Sequence, residues 1–130
     1  MKNIDEVREM FSHDRFATVN GAQIDEIGEH YAVCSLSICD NHKNAMGNVM
    51  GGVSFTLADF AFAVASNWQG QPTVSLNSSI TYLGKVKGDK LFAKAVCVKD
   101  GRTTCYYEVT VKDNLGNIIV AVTTTGFHVG

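Results

Sequence analysis

A chain of 130 residues, 45% hydrophobic and 18% charged, has the size and composition of one globular domain with one core, and residues 1–130 are expected to form it. Eleven basic against thirteen acidic residues leave a formal charge of -2 with no basic run, which argues against nucleic acid as a partner. The acidic start Met1-Lys2-Asn3-Ile4-Asp5-Glu6 lacks the apolar core of a signal peptide, and polar residues interrupt the longest charge-poor stretch; no membrane span is expected, and the chain is assigned to the cytoplasm.

Ile4, Val7, Met10 and Phe11 share one side of a short helix over residues 3–12, with Asp5 and Glu6 near its positive end. Ala22 to Ile27 then predicts a short strand and Ala32, Cys34, Leu36 and Ile38 a clearer one, turning at Gly28-Glu29-His30. Residues 40–50 have no periodicity and are rich in loop formers. An apolar helix from about Gly51 to Trp68 follows, and Pro72 bars its continuation.

Beyond Pro72 the pattern alternates. Val74, Leu76, Ile80 and Tyr82 form one run and Leu91, Ala93, Ala95 and Cys97 a second; Asp100-Gly101 predicts a two-residue hairpin into Cys105, Tyr107, Val109 and Val111. Asp113-Asn114-Leu115-Gly116 turns into a last strand, Ile118 to Phe127. One long helix and about six mostly antiparallel strands predict an α+β fold in which the sheet curls around the helix.

Asp59 is the only Asp, Glu, Lys, Arg or His between Asn44 and Gly84. The predicted helix is apolar on almost every face, so this carboxylate is expected to be buried, which is costly unless it is paired or used. Its candidate role is general base toward water or nucleophile toward an acyl carbon, and burial would raise its pKa toward a useful range. The alternative is a structural Asp held by hydroxyls. Gly51-Gly52 at the helix start would present backbone N–H groups to a carbonyl oxygen gaining charge, unless the glycines serve only tight packing. Cys34, Cys39, Cys97 and Cys105 form no C-x-x-C pair and no zinc-like spacing, so neither disulfide nor metal is expected.

Asn44, Gly47, Met50-Gly51-Gly52 and Leu57-Ala58-Asp59 resemble the signature of the hot dog fold thioesterase superfamily, in its phenylacetyl-CoA-type and small acyl-CoA thioesterase branch. Ser79-Ile80-Thr81-Tyr82-Leu83, Lys87-Gly88-Asp89 and Gly101-Arg102-Thr103 are similar to later blocks of that branch, so the resemblance covers most of the chain beyond about residue 20. It implies a hot dog fold, hydrolysis of an acyl-CoA without metal or redox cofactor, and catalytic roles for Asp59, Gly51, Asn44 and Ser75. Ser75 falls where the human relatives carry a serine that holds the attacking water, and by simple alternation it lies opposite the row of Val74, Leu76 and Tyr82. Lys85, Lys87 and Lys90 are the candidate contacts to CoA phosphates, with Lys43 and Arg102 weaker ones; solvated turn lysines are the alternative. Phe55, Phe60, Phe62 and Trp68 are candidate pocket walls or simply core.

The chain departs from the branch at Met50, where the family has His. Met cannot donate a hydrogen bond. His42, eight residues earlier, is the candidate replacement, set against a loop histidine with no such role. Eight residues from Gly51 to Asp59 span roughly 12 Å of helix, too far for both to act on one carbonyl, so a site shared between two subunits is expected. The resemblance implies the same, through edge-to-edge sheet pairing into a homodimer or a dimer of dimers. Other readings are a non-catalytic acyl-CoA or acyl-carrier binding protein, a dehydratase, for which Asp59 lacks a partner, and a transcription regulator, for which no DNA-binding segment is present.

Overall fold

The computed structural model describes residues 2–130. Helix α1 (Ile4–Phe11) opens on Asn3, whose Oδ1 accepts the Glu6 N–H at 2.9 Å while Glu6 accepts the Asn3 N–H at 3.2 Å, so two otherwise unpaired donors are satisfied reciprocally. Val7 is its buried anchor, and Arg8 donates twice to the Ile24 carbonyl, tying the helix to the sheet. A second helix, α2 (Arg15–Val19), has no counterpart among the sequence expectations, because five residues carry too little periodicity to read.

Strands β1 (Gln23–Gly28) and β2 (Tyr31–Ser37) turn at the expected place, where His30 takes a φ of 63°. A loop containing a 3-10 turn at Asp40–His42 leads into α3 (Gly51–Asn67). The Asn67 amide then fixes where the next strand begins: its Oδ1 accepts the Thr73 N–H at 2.7 Å and its Nδ2 donates to the Thr73 carbonyl at 3.1 Å. Strands β3 (Thr73–Tyr82), β4 (Lys90–Asp100), β5 (Thr104–Asp113) and β6 (Ile118–His128) complete the chain.

All pairings are antiparallel, and the sheet order is β1-β2-β4-β5-β6-β3. Every strand touches α3, which is the sheet-around-helix arrangement the sequence predicts. Ala58 and Ala61 leave room for close approach, while Leu57 and Val64 belong to one buried cluster with Leu36, Leu91, Val109, Val111 and Val120. Each such fully buried aliphatic side chain stabilises the fold by roughly 1.5–3 kcal/mol. Among the described residues no helix is long and apolar enough to cross a membrane.

Two local expectations fail. The β4–β5 connection is Gly101-Arg102-Thr103 rather than a two-residue Asp-Gly turn; that turn needs positive φ at both central residues, and neither Asp100 nor Gly101 has it. In β3, Ser75 pairs with Gly126 but Asn77 pairs with Thr125, so Leu76 is an extra, bulged residue. The bulge reverses the alternation. Thr73 and Ser75 therefore share the helix-facing side with Ser78, Ile80 and Tyr82, not the opposite side.

Candidate active site

The start of α3 carries free donors. The first turn of a helix has N–H groups with no intrahelical acceptor. The His42 carbonyl takes the Met50 N–H at 2.9 Å and the Met50 carbonyl takes the Val53 N–H at 3.0 Å, which leaves the Gly51 and Gly52 N–H groups without a carbonyl partner among the described residues. Asn44 lies in the loop before them. Its Oδ1 accepts the N–H groups of Met46 and Asn48 at 3.0 and 3.1 Å, so the side chain is oriented with Nδ2 left as a donor.

Met50 is the residue before α3 and makes no side-chain cap. The terminal methyl carbon of its side chain lies 2.7 Å from where a Cβ on Gly52 would stand, so Gly52 makes room for Met50. Beside them Phe16, Leu36, Met50, Val53 and Thr56 line a largely apolar cavity of about 200 Å³. His42 also borders it, but both ring nitrogens are committed to backbone. Nδ1 accepts the Cys39 N–H at 3.0 Å, which leaves Nε2 to carry the proton it donates to the Asn20 carbonyl at 2.7 Å. With 3% exposure His42 is a buried brace, and it does not take the place of the histidine missing at Met50.

Asp59 is not buried as expected. The sheet and α2 cover most of α3 but leave a stripe through Gly52, Thr56, Asp59 and Ala63, and on that stripe Asp59 is exposed in the single chain. Sequence alone counts apolar neighbours and cannot tell which face the chain's own elements cover. The carboxylate borders a cavity of about 160 Å³ with Asp14, Phe16, Phe55, Thr56 and Phe60. Partial burial by these neighbours raises its pKa above the ordinary carboxylate value, and the charge of Asp14 adds to the shift. Among the described residues no cation pairs with it.

Ser75 is exposed on the helix-facing side of β3. It lies opposite Gly126, where a Cβ would approach the Phe62 Cζ to 3.0 Å, so Ser75 neighbours the strand position that meets the tip of the Phe62 ring. Phe60, Phe62 and Trp68 are core residues, whereas Phe55 is half-buried next to Asp59.

The three candidate lysines are not gathered at one point. Lys85 and Lys87 are exposed on the loop after β3, while the Lys90 ammonium lies over the Phe92 ring, 5.3 Å from its centre. The sequence gives no sign of how firmly this loop is held. Asp113, 2% exposed, accepts the N–H groups of Lys87, Gly88, Leu115 and Asn117 and the Asn117 amide, all within 3.1 Å. Asn114 accepts the Asp89 and Lys90 N–H groups. Led by the Asn117 amide, these donors outweigh burial and hold Asp113 well below the usual carboxylate range.

Away from this region, Asp100, Cys105 and His128 bring metal-type donor atoms within 4.8 Å of one another. His128 is already engaged, with Nε2 2.7 Å from Asp100 Oδ1 and Nδ1 2.9 Å from Thr73 Oγ1, so the group closes as a clasp between strand ends.

Comparison with known proteins gives a consistent result. A family model described as "Thioesterase superfamily" matches residues 46–119. A protein named "Putative esterase" from Archaeoglobus fulgidus is 35% identical over 121 residues, 92% of this chain and 79% of that protein. "Acyl-coenzyme A thioesterase PaaI" from Escherichia coli is 32% identical over 103 residues, 78% of this chain and 74% of its own length. Among solved structures, a hypothetical thioesterase from Streptococcus pneumoniae with coenzyme A superposes with a TM-score of 0.86 at 31% identity, covering 94% of this chain and 96% of the other.

Proposed function

The chain belongs to the thioesterase superfamily and has the hot dog fold, and from that premise we propose that it hydrolyses an acyl-CoA to the free acid and CoA at a site built from two subunits. The observation that carries this reading is the separation, along one helix, of two free N–H donors at Gly51 and Gly52 from the unpaired carboxylate of Asp59. Eight residues of helix are roughly 12 Å, so the two halves act on one carbonyl only if they come from different chains.

The two edges of the sheet support such pairing. β1 is six residues long, carries Asp25 and Glu26, and is broken by a bulge, all of which discourage another strand. β3 is ten residues long with no charge and no proline, and past Leu76 it pairs with β6 without interruption. A twofold dimer through β3 joins the sheets and covers the open stripe of α3 around Asp59. A dimer of dimers would keep the same sites.

In this mechanism the Gly51 N–H, with Asn44 Nδ2 beside it, binds the thioester oxygen of a substrate whose acyl group lies in the cavity between Met50 and Val53. Asp59 of the other subunit takes a proton from a water held by Ser75, and the resulting hydroxide adds to the carbonyl carbon. The tetrahedral intermediate collapses by breaking the carbon–sulfur bond, and the Asp59 proton passes to the departing thiolate. Direct attack by the carboxylate would instead form a mixed anhydride that water then opens at one of its two carbonyls; label appearing in Asp59 after a single turnover in labelled water, which activation of water by a base never produces, identifies that route. Lys85 and Lys87, on the clamped loop, and Lys90 are the proposed contacts to the CoA phosphates. No cofactor or metal enters any step, and the four free thiols suit a cytoplasmic enzyme.

The test is thiol release from a panel of short, medium and aromatic acyl-CoAs by wild type and Asp59→Ala, with sedimentation in parallel. Turnover that disappears in Asp59→Ala, and in a variant forced to be monomeric, is expected. A fully active monomer refutes the shared site. Met50 favours a second reading, a protein that binds acyl-CoA without cleaving it; saturable binding in calorimetry with no thiol release would select it.

A further inference from the structure

Gly51 is crowded by a residue that the proposed mechanism does not use. A Cβ built on Gly51 would lie 2.7 Å from Cε1, 3.0 Å from Cζ and 3.1 Å from the hydroxyl oxygen of Tyr82. Only glycine permits this approach, and its effect is to bring a phenol against the first residue of α3. Tyr82 is 58% exposed, and its hydroxyl is free of the side-chain bond that ties Ser78, on the same face of β3, to Thr124. It stands at the helix end where Met50 offers no donor.

Resting on the hydrolysis proposed above, we infer that the Tyr82 hydroxyl is a second hydrogen-bond donor to the thioester oxygen, acting with the Gly51 N–H of the same chain. The distances permit it. Backbone geometry fixes a residue's N and Cβ about 2.5 Å apart. Added to the 3.1 Å separation from that Cβ position, this puts the hydroxyl at most about 5.6 Å from the Gly51 nitrogen. Two donors that close can share one acceptor at roughly 2.7–3.1 Å from each, which is the geometry of an oxyanion site. A phenol donates as well as accepts, so it supplies the type of bond that a thioether cannot. As charge moves onto the oxygen in the tetrahedral intermediate this bond strengthens, and its effect therefore falls on kcat more than on KM.

Tyr82→Phe keeps the ring against Gly51 and removes only the oxygen. A fall in kcat of about 100-fold is expected, with KM and the thermal midpoint at their wild-type values. Binding of an alkyl-CoA thioether, which has no carbonyl, is expected to be unchanged. Wild-type kcat in Tyr82→Phe overturns the inference, and so does a loss of kcat accompanied by a lower midpoint or weaker thioether binding, which would mark a packing role. Asp59→Ala in the same assay separates the two ideas. A working wild type, an inert Asp59→Ala and a fully active Tyr82→Phe remove Tyr82 alone, whereas a wild type inert on the whole panel removes both.

Discussion

Replacing His42 by Ala tests whether this histidine is a brace or part of the chemistry. The variant strands two backbone groups, the Cys39 N–H and the Asn20 carbonyl, which His42 holds at 3.0 and 2.7 Å. A buried polar group left without its partner costs about 1–3 kcal/mol, so the pair would cost at most about 6. Cys39 is exposed, and its freed N–H can turn to water, which leaves the Asn20 carbonyl and brings the expected loss to about 1–3 kcal/mol. For a chain of this length that is a fall in Tm of roughly 3–12 °C. The assay is thermal unfolding followed by circular dichroism, with thiol release measured well below the midpoint. The folded fraction of His42→Ala is expected to keep a kcat of wild-type order. His42→Asn, which can still accept from Cys39 but is too short to reach Asn20, should fall between the two in Tm. An unchanged Tm with a collapsed kcat would refute the reasoning and make His42 a catalytic group.

Other outcomes follow from single features of the site and the sheet. Asp59→Asn should lower kcat by at least about 100-fold, since it removes the base and leaves the shape. In the wild type, the raised pKa of Asp59 puts the acidic limb of kcat/KM above about pH 4, and Asp14→Asn, which removes the smaller contribution to that shift, should move the limb downward. Asp113 titrates in the opposite sense: its folded pKa is depressed, so its stabilising effect is full above about pH 4 and is lost as pH falls toward the folded value. Urea midpoints of wild type and Asp113→Asn should therefore differ at pH 7 and converge in acid, whereas a constant gap would contradict the assignment. Gly126→Ala would force a Cβ to 2.7 Å from Cys105 Sγ and 3.0 Å from Phe62 Cζ and Thr73 Cγ2, an overpacking expected to cost about 1–3 kcal/mol in chemical denaturation.

Much of this molecule is legible in the sequence, because its strands alternate cleanly and its central helix is long. The lone carboxylate and the Gly51-Gly52 pair can be found for the same reason, since a charge and two glycines stand out against an apolar background. What escapes the sequence depends on neighbours distant along the chain. Whether Asp59 is covered depends on which face of α3 the sheet leaves open. His42 looks like a loop residue because its partners include Asn20, whose proximity only the fold creates. Asp113 reads as turn chemistry alone, although most of its donors are local and two come from the lysine loop. Tyr82 reads as one more alternating aromatic until Gly51 is found beneath it. The phase of β3 is hidden because a bulge adds a residue without any compositional mark.

That bulge also says something about inheritance. Most substitutions at Leu76, an exposed residue that pairs with nothing across the sheet, should be tolerated. Deleting its codon changes no other amino acid and leaves Ser75 opposite Gly126 and Asn77 opposite Thr125, so the ladder becomes regular while Thr73 and Ser75 keep the helix-facing side and Thr73 its bonds with Asn67 and His128. The position is thus free in identity, and its presence adds local bend and twist to the edge strand without deciding which neighbours face the helix. Related genes should vary the letter at this point, and a one-residue gap there is compatible with the same strand pairing.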